Sequence, residues 1–575
     1  MAVPPSIKFR VLPYSATALA EALTTSWVTQ TEIEAKDHYA YLREYLGSDN
    51  GGLNAQTMVV EYPYVSQSYL TDYASYFALG FQSYERFCKR IHFFDADFKR
   101  AQLQAALTAP AGSKAAKRIW DSYLGCVIVK PLPRTPIGAT LLKPYQTEDD
   151  KVRHYPVRRR YTVNLLGKAL HLDTLIFQEQ DLVVSACATT ALWMAFHKTA
   201  ELFRTAMPSP YEITAAAKNL FNSTGRTFPN DGLDHYQIGN AIEAAGLVAE
   251  LLQFDSFEQI QERAEDSIRK IHARGLLLEA ADIIGLSEED IEAEVDFLIS
   301  ERAEEMGLSQ MRSYKRIIYA YLRLGLPVLL FIRGDGADSE HLVTVTGYRE
   351  ALQSIRRTEE VSCVAEQLER LYIHDDQLGP FARLGFTEDG RLNTICAAPG
   401  STGPSDQTAT LLTIFVPLAA DIRLTFQQVF EPVQKFDSLF YERIANRQDV
   451  VWDIYLSTGN DYKVDLLSRD WLDSGPRRAA AARLLPKYVW VARAFLGPAP
   501  LLELLFDATD LHTGFFCLNL TWFSADLKLG MTTWLSDADN RQDTIESGPV
   551  PWRYLDMLFA SLSLPLTGHA TGTRA

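Results

Sequence analysis

The spacing of apolar and polar positions along the chain predicts a mixture of helices and strands. Residues 16–45 and 69–90 carry apolar side chains at helical spacing, and the second stretch is rich in aromatic residues. Residues 126–133 and 158–166 are instead dominated by alternation and β-branched side chains, which is typical of strands. These patterns predict an α+β N-terminal region over residues 1–165.

The middle of the chain changes from a helical to a strand pattern. An apolar helical stretch begins near Cys187, a second helix covers residues 235–246, and an acidic helical insert is expected over residues 256–323. Strand patterns follow at residues 327–332, 341–348 and 370–376. We therefore expect one domain over residues 166–400. A Gly/Pro/Ser-rich stretch at residues 397–405 marks its end, and residues 408–575 read as a C-terminal α+β domain.

Composition and charge narrow the classes of protein that the chain can belong to. A length of 575 residues suggests two to four domains at roughly 150 residues each. The net charge of −16 argues against a nucleic-acid partner, since binding to a phosphate backbone needs Lys and Arg. No run reaches the roughly 18 apolar residues of a membrane span, and the N-terminus lacks the apolar core of a secretory signal. The six cysteines are scattered without a CxxC pair, which favours reduced thiols in a cytoplasm over disulfides or a zinc site.

Cys187 is the first candidate for chemistry. Ser185 is a reasonable N-cap, which would place Cys187 in the first turn of a helix. Backbone N–H groups and the positive end of the helix dipole meet there, so we expect a lowered thiol pKa. Taken alone, however, a cysteine in an apolar helix is more often a buried structural residue.

His341 and Asp375 can join this cysteine. His341 follows a glycine- and acid-rich loop, residues 334–340, and opens an alternating strand, whereas Asp375 ends the next strand pattern. If the two strands pair antiparallel, the start of one lies beside the end of the other. The carboxylate could then orient the imidazole as a base for the thiol. Asp376 remains an alternative acid at this stage.

An acyl-transfer site also needs donors for an oxyanion. The backbone N–H of Cys187 can supply one of them. A side-chain amide from Gln180 or Gln178, both shortly before the cysteine, can supply the second. We prefer Gln180 because it is nearer to Cys187.

This layout resembles the papain-like superfamily, and more narrowly the C39-like group named for bacteriocin-processing peptidases. Residues 341–348, HLVTVTGY, and 372–375, YIHD, carry the resemblance together with Gln180 and Cys187. The match covers residues 165–400. It implies a papain-like α+β core, in which a helix bearing the cysteine packs on an antiparallel sheet bearing His341 and Asp375. Family members usually have Asp-Cys-Gly and Asp-Pro, where this chain has Ala186-Cys187-Ala188 and Asp375-Asp376.

The resemblance implies a cytoplasmic cysteine peptidase or isopeptidase with Cys187, His341 and Asp375 as its catalytic residues. Such an enzyme forms a thioester acyl-enzyme, needs no metal or cofactor, and takes a protein or peptide as substrate. The flanking regions could recruit a protein partner, and no nucleic acid or membrane is expected. Two alternatives remain open: a transglutaminase-like acyltransferase on the same triad, and an inactive papain-like scaffold that binds proteins.

Overall fold

The structure is a computed structural model of the 575-residue chain. It describes residues 8–48, 52–145, 152–181, 183–184, 186–217, 232–273, 288–334, 340–351, 361–393, 408–441, 450–469, 477–478, 481–510, 517–546 and 552–564. The chain divides into two compact units. The first comprises Met1–Met311, Gly325–Glu350 and Glu369–Leu418, and the second comprises Arg312–Leu324, Ala351–Leu368 and Ala419–Ala575. The three-domain division stays a prediction beside these units.

The first unit begins with a five-stranded antiparallel sheet in the order β1-β2-β3-β4-β5. Its strands are β1 (Lys8–Pro13), β2 (Thr57–Tyr64), β3 (Cys88–Phe94), β4 (Tyr123–Val129) and β5 (Ile137–Leu142). The helices between them are α1 (Ala16–Leu23), α2 (Gln30–Glu34), α3 (Asp37–Leu46), α4 (Gln67–Ser75), α5 (Arg100–Thr108) and α6 (Lys114–Asp121). Strand β4 is buried along its whole length, so the sheet forms part of a core.

Two further sheets complete the first unit. A hairpin pairs β7 (Arg159–Leu165) with β8 (Lys168–Thr174). The larger sheet contains β6 (Arg153–His154), β9 (Val248–Gln253), β10 (Val328–Gly334), β11 (Glu340–Glu350), β12 (Leu368–Asp375), β13 (Gly379–Phe386), β14 (Leu392–Asn393) and β15 (Thr408–Leu418). Strands β10 to β15 follow one another in order, and β10 also pairs with β15. The six strands therefore close into a barrel, while β6 pairs with β11 and β9 pairs with β15.

The described residues between the hairpin and the barrel include five helices. They are α7 (Cys187–Phe203), α8 (Pro210–Ala216), α9 (His235–Ala244), α10 (Phe257–Ala273) and α11 (Glu288–Leu322). Helix α7 packs against β11 and is buried over most of its length. Its buried residues include Ala, Leu, Trp, Met and Phe as well as three threonines, as expected of a helix that lies in a core.

The second unit contains a four-stranded antiparallel sheet in the order β16-β17-β18-β19. Its strands are β16 (Val450–Thr458), β17 (Tyr488–Leu496), β18 (Ala499–Asp507) and β19 (Cys517–Trp522). The described helices of this unit include α12 (Phe426–Tyr441), α13 (Gly459–Ser468), α14 (Ala525–Ser536), α15 (Ala538–Glu546) and α16 (Trp552–Ser561). Arg493 and Glu503 form an ion pair inside this unit, with both side chains 1% exposed.

The predicted α+β class is confirmed, but two helical predictions were wrong in extent. Residues 16–45 form three short helices rather than one continuous stretch, because Thr29 caps α2 with a capping box and starts a new helix. The expected helix over residues 69–90 ends at Ser75, and Arg90 lies in β3. There the Arg90 guanidinium pairs with Glu61 of β2, a contact that only the sheet provides.

The structure bears on two further expectations, which concern membrane-spanning helices and the state of the cysteines. In the described segments, no helix combines the length and the apolar character that crossing a membrane requires. The described cysteines are free thiols, and Cys396 lies outside the described residues. Cys187 differs from the other four in being only partly buried.

Candidate active site

Cys187 is the first residue of α7, so it lies in the first helical turn. The N-cap prediction was wrong by one residue. Ala186 occupies the N-cap position and has no side chain that could bond to the helix, while Ser185 lies outside the described residues. The loop before the helix is held by Asp181, whose Oδ1 accepts the backbone N–H groups of Val183 and Val184 at 3.0 and 2.8 Å.

His341 lies at the start of β11, next to Glu340, the first residue of that strand. The hydroxyl of Thr344, three residues further on, donates to the carbonyl oxygen of Ala191 in α7 at 2.9 Å. This bond ties the strand to the first turns of the helix and so fixes the distance between His341 and Cys187. The glycine-rich loop expected to precede the histidine falls largely on residues 335–339, which lie outside the described residues.

Asp375 is the last residue of β12, which pairs with β11. The Thr346 hydroxyl donates to the carbonyl oxygen of Tyr372 at 3.0 Å, and His341 contacts Asp375. Because residue numbers rise along β11 as they fall along β12, the two strands run antiparallel. The start of one strand therefore lies beside the end of the other, as the alternation in the sequence suggested.

The three side chains form a continuous chain of contacts. The sulfur of Cys187 lies 2.7 Å from His341 Nδ1, and His341 Nε2 lies 2.9 Å from Oδ1 of Asp375. The side chains of His341 and Asp375 are 15% and 12% exposed, and Cys187 is partly buried. The group is therefore reachable from solvent rather than sealed in the core.

Asp376 is a fourth ionisable side chain at the site, beside Cys187, His341 and Asp375. Its carboxylate is fully buried, neither oxygen has a hydrogen-bond partner among the described residues, and Oδ1 lies 3.6 Å from His341 Nε2. Asp375 lies closer to the ring and also accepts the backbone N–H of Gln377 at 3.0 Å. The geometry thus favours Asp375 as the acid that orients the histidine.

The charges of the group shift the pKa of each member. Burial lowers the pKa of His341, but the charges of Cys187 and Asp375 outweigh this effect and hold it well above its usual value. Burial raises the pKa of Asp375, yet the positive His341 ring keeps it below its usual range. Asp376 makes no hydrogen bond to the ring, and burial together with the charge of Asp375 raises its pKa to about 7, although the charge of His341 acts in the opposite direction. One carboxylate is therefore stabilised in its charged form and its neighbour is not.

The expectation of a lowered thiol pKa was wrong. Burial and the nearby charge of Asp376 raise the pKa of Cys187 to about 11, although His341 and the backbone N–H of Leu342 act in the opposite direction. The N–H of Leu342 donates to the sulfur at 3.0 Å. Cys187 and His341 titrate together, since the imidazole becomes strongly basic only once the thiol has lost its proton. Reactivity must then come from proton transfer to His341 rather than from the helix end.

The oxyanion donors are less complete than the triad. The backbone N–H of Cys187 is the first of α7, and such N–H groups have no partner within their own helix. Gln180 is half-buried, and across the described segments no hydrogen bond joins its amide to Cys187. Gln178 is buried at 3% exposure. The role of Gln180 as second donor stays a prediction.

His38 and Glu179, which no sequence pattern indicated, support the site. His38 of α3 is buried, and its Nε2 lies 2.8 Å from the backbone oxygen of Asp376. Its Nδ1 lies 3.7 Å from Glu179, which also binds Lys36 at 2.8 Å and accepts the backbone N–H of Ile137 at 2.9 Å. His38 and Asp376 are 338 positions apart, so no spacing in the sequence could have linked them.

Comparison with known proteins finds no relative: no family model, curated protein or solved structure matches the chain. The likeness to C39-like peptidases therefore rests on the positions of its own residues. Chemically, a thiol, an imidazole and a carboxylate in this order can form an acyl-enzyme and release it again.

Proposed function

We propose that the first unit is a cysteine-type hydrolase with a papain-like core that cleaves peptide or isopeptide bonds. One observation supports this most strongly. Three side chains from α7, β11 and β12, far apart along the chain, meet in the order sulfur, imidazole, carboxylate, at 2.7 and 2.9 Å. The arrangement leaves one ring nitrogen for the thiol and one for the acid, as general-base activation of a nucleophile requires.

Each residue has a defined part in the proposed reaction. His341 Nδ1 takes the proton of Cys187 as the sulfur attacks the substrate carbonyl, and Asp375 holds the resulting imidazolium. The N–H of Cys187, with Gln180 as proposed partner, faces the developing oxyanion. His341 then protonates the leaving amine, and a water molecule attacks the thioester with the same histidine as base.

The raised thiol pKa is compatible with this sequence of steps. Proton transfer to His341 occurs as the sulfur attacks, so a large resting population of thiolate is not needed. The Leu342 N–H, which donates to the sulfur, stabilises the charge that develops on it. Asp375 contributes at the same moment, because its charge favours the protonated ring.

The first test measures alkylation of Cys187 by iodoacetamide at pH 7.5, followed by peptide mass spectrometry. We expect labelling of Cys187 in the wild-type protein to be at least about 100-fold faster than in His341→Ala, the lower end of general-base contributions. Cys363 provides an internal control, since it is buried with a pKa raised by burial. Equal labelling rates in wild type and His341→Ala would leave an inactive scaffold as the better description.

The second test identifies the acyl acceptor. A peptide library is incubated with the protein in H₂¹⁸O, with and without methylamine, and Cys187→Ser serves as the control. We expect products that carry ¹⁸O at a new carboxyl group and that are absent with the control. Products that carry methylamine even at a large excess of water would indicate a transglutaminase-like acyltransferase instead. Absence of any product that depends on Cys187 would contradict both activities.

A further inference from the structure

Asp376 is a buried carboxylate that the proposed reaction does not use. It is fully inaccessible to solvent, both of its oxygens lack hydrogen-bond partners within the described part of the chain, and it faces His341 at 3.6 Å. Burial of an unpaired carboxylate is costly, so native proteins usually satisfy such a group with a proton, a water molecule or a cation. Because the carboxylate faces a thiol and an imidazole, which are both metal ligands, a cation is the partner that best fits its surroundings.

The ligand atoms are close enough to share one ion. The Cys187 sulfur, a ring nitrogen of His341 and a carboxylate oxygen of Asp376 all lie within 4.8 Å of one another. Two protein ligands on one tetrahedral Zn²⁺ lie on the order of 3.5 Å apart, given its bond lengths of about 2.0–2.3 Å. The 2.7 Å contact between sulfur and Nδ1 would therefore open by about 1 Å, through small side-chain rotations.

The surroundings of His341 suit a metal ligand. Nδ1 is the nitrogen that faces the sulfur, and Nε2 is bonded to Asp375 at 2.9 Å. Histidine ligands typically donate their second ring N–H to a carboxylate in this way, which orients the ring and increases its basicity. The N–H of Leu342, 3.0 Å from the sulfur, also favours a thiolate ligand.

The kind of donors determines the kind of ion. Thiolate and imidazole select Zn²⁺ and similar transition metals over Mg²⁺ and Ca²⁺, which prefer oxygen ligands. Three protein ligands would leave a fourth position open to water, and the partly exposed Cys187 puts that position on the side of solvent.

We propose that Cys187, His341 and Asp376 form a Zn²⁺ site with Asp375 as its outer carboxylate. Binding replaces the thiol proton, which leaves to solvent, by a zinc–sulfur bond. The ion then occupies both the sulfur and the Nδ1 lone pair, so it excludes the nucleophile and the base at once. This inhibitory consequence rests on the proposed hydrolase function, whereas the binding site itself does not.

The test uses Co²⁺ as a spectroscopic substitute for Zn²⁺ in the full-length chain. A thiolate ligand gives Co²⁺ a charge-transfer band in the near ultraviolet, and competition with Zn²⁺ then yields the Zn²⁺ affinity. We expect this band with the wild-type protein and no band with Cys187→Ser. Asp375→Leu should keep the band and weaken affinity by about 10–100-fold, as losses of outer carboxylates do. Asp376→Leu should weaken affinity by more than Asp375→Leu does.

Several outcomes would overturn the site. They are the absence of a thiolate band at saturating Co²⁺, a band that survives in Cys187→Ser, and an affinity that is insensitive to Asp376→Leu. Circular dichroism reports the folding of each variant. His341→Gln, at a partly exposed side chain, tests the same site if Asp376→Leu does not fold, and it should remove most of the affinity. A chain that hydrolyses nothing can still show the band, so the two proposals fail independently.

Discussion

Asp375 and Asp376 are neighbours in the sequence, and the structure predicts that their removal affects the thiol unequally. Asp375→Leu and Asp376→Leu make the same change of shape and charge one residue apart. Asp375 is bonded to His341 Nε2 at 2.9 Å, whereas Oδ1 of Asp376 lies at 3.6 Å and makes no hydrogen bond to the ring. We expect Asp375→Leu to slow alkylation of Cys187 far more than Asp376→Leu does.

The size of each effect follows from the contacts. A hydrogen bond to a charged group contributes about 1.5–3 kcal/mol. Its loss from the imidazolium in Asp375→Leu should slow labelling by about 10- to 150-fold, at roughly 1.4 kcal/mol for each factor of ten.

Asp376 acts through charge alone, and its two effects oppose each other. At an effective dielectric constant near 20, it attracts an imidazolium nitrogen 3.6 Å away by about 4.6 kcal/mol. It repels a thiolate at up to 4.8 Å by at least about 3.5 kcal/mol. The net attraction is therefore at most about 1 kcal/mol, so Asp376→Leu should slow labelling by less than about tenfold.

The assay is iodoacetamide labelling at pH 7.5 with chelator present, read at the peptide that contains Cys187. Thermal melting verifies that both variants fold. Similar slowing in the two variants, or a larger effect of Asp376→Leu, would refute the assignment of Asp375 as the orienting acid.

Three further predictions concern stability. Burial lowers the pKa of His197 to about 3, so its stabilisation is complete above pH 6.5 and is lost toward pH 3, by about 2 kcal/mol at pH 5. His197→Phe should flatten that part of a urea-denaturation pH profile, and an unchanged profile would contradict this. Gly379→Ala places a methyl group against the ring of Tyr41 and should cost about 1–3 kcal/mol in urea denaturation, whereas Gly239→Ala in α9 meets no neighbour and should not destabilise the protein. Arg493→Met leaves the buried Glu503 carboxylate without its cationic partner and should cost about 3–5 kcal/mol, and restoration of stability by adding Glu503→Leu would verify the cause.

The sequence carried much of the local information about the site. Alternation in residues 341–348 and 370–376 defined two strands, and the end of one and the start of the other set His341 beside Asp375. The helical pattern after residue 186 put Cys187 at a helix start. These features depend on neighbours along the chain, so the order of residues is enough to predict them.

Features that depend on distant segments could not be predicted in the same way. The closure of the barrel by β10 and β15 joins strands whose sequences give no sign of each other. The raised pKa of Cys187 has the same origin. A helix start alone predicts a lowered value, but burial and the charge of Asp376 arise only after folding.

The extent of the helices in residues 16–45 was set by local caps that the apolar pattern obscured.

The contact between His38 and the backbone oxygen of Asp376 limits how the protein can be dissected. A fragment of residues 166–400 contains every member of the triad, and by motif alone it would be chosen for expression. It would lack His38 and Lys36. The buried backbone oxygen of Asp376 would then lose its contact with His38, and the buried carboxylate of Glu179 would lose its contact with Lys36. A fragment that contains only the motifs therefore lacks part of the site, and transferring the site to another protein requires α1–α3 as well.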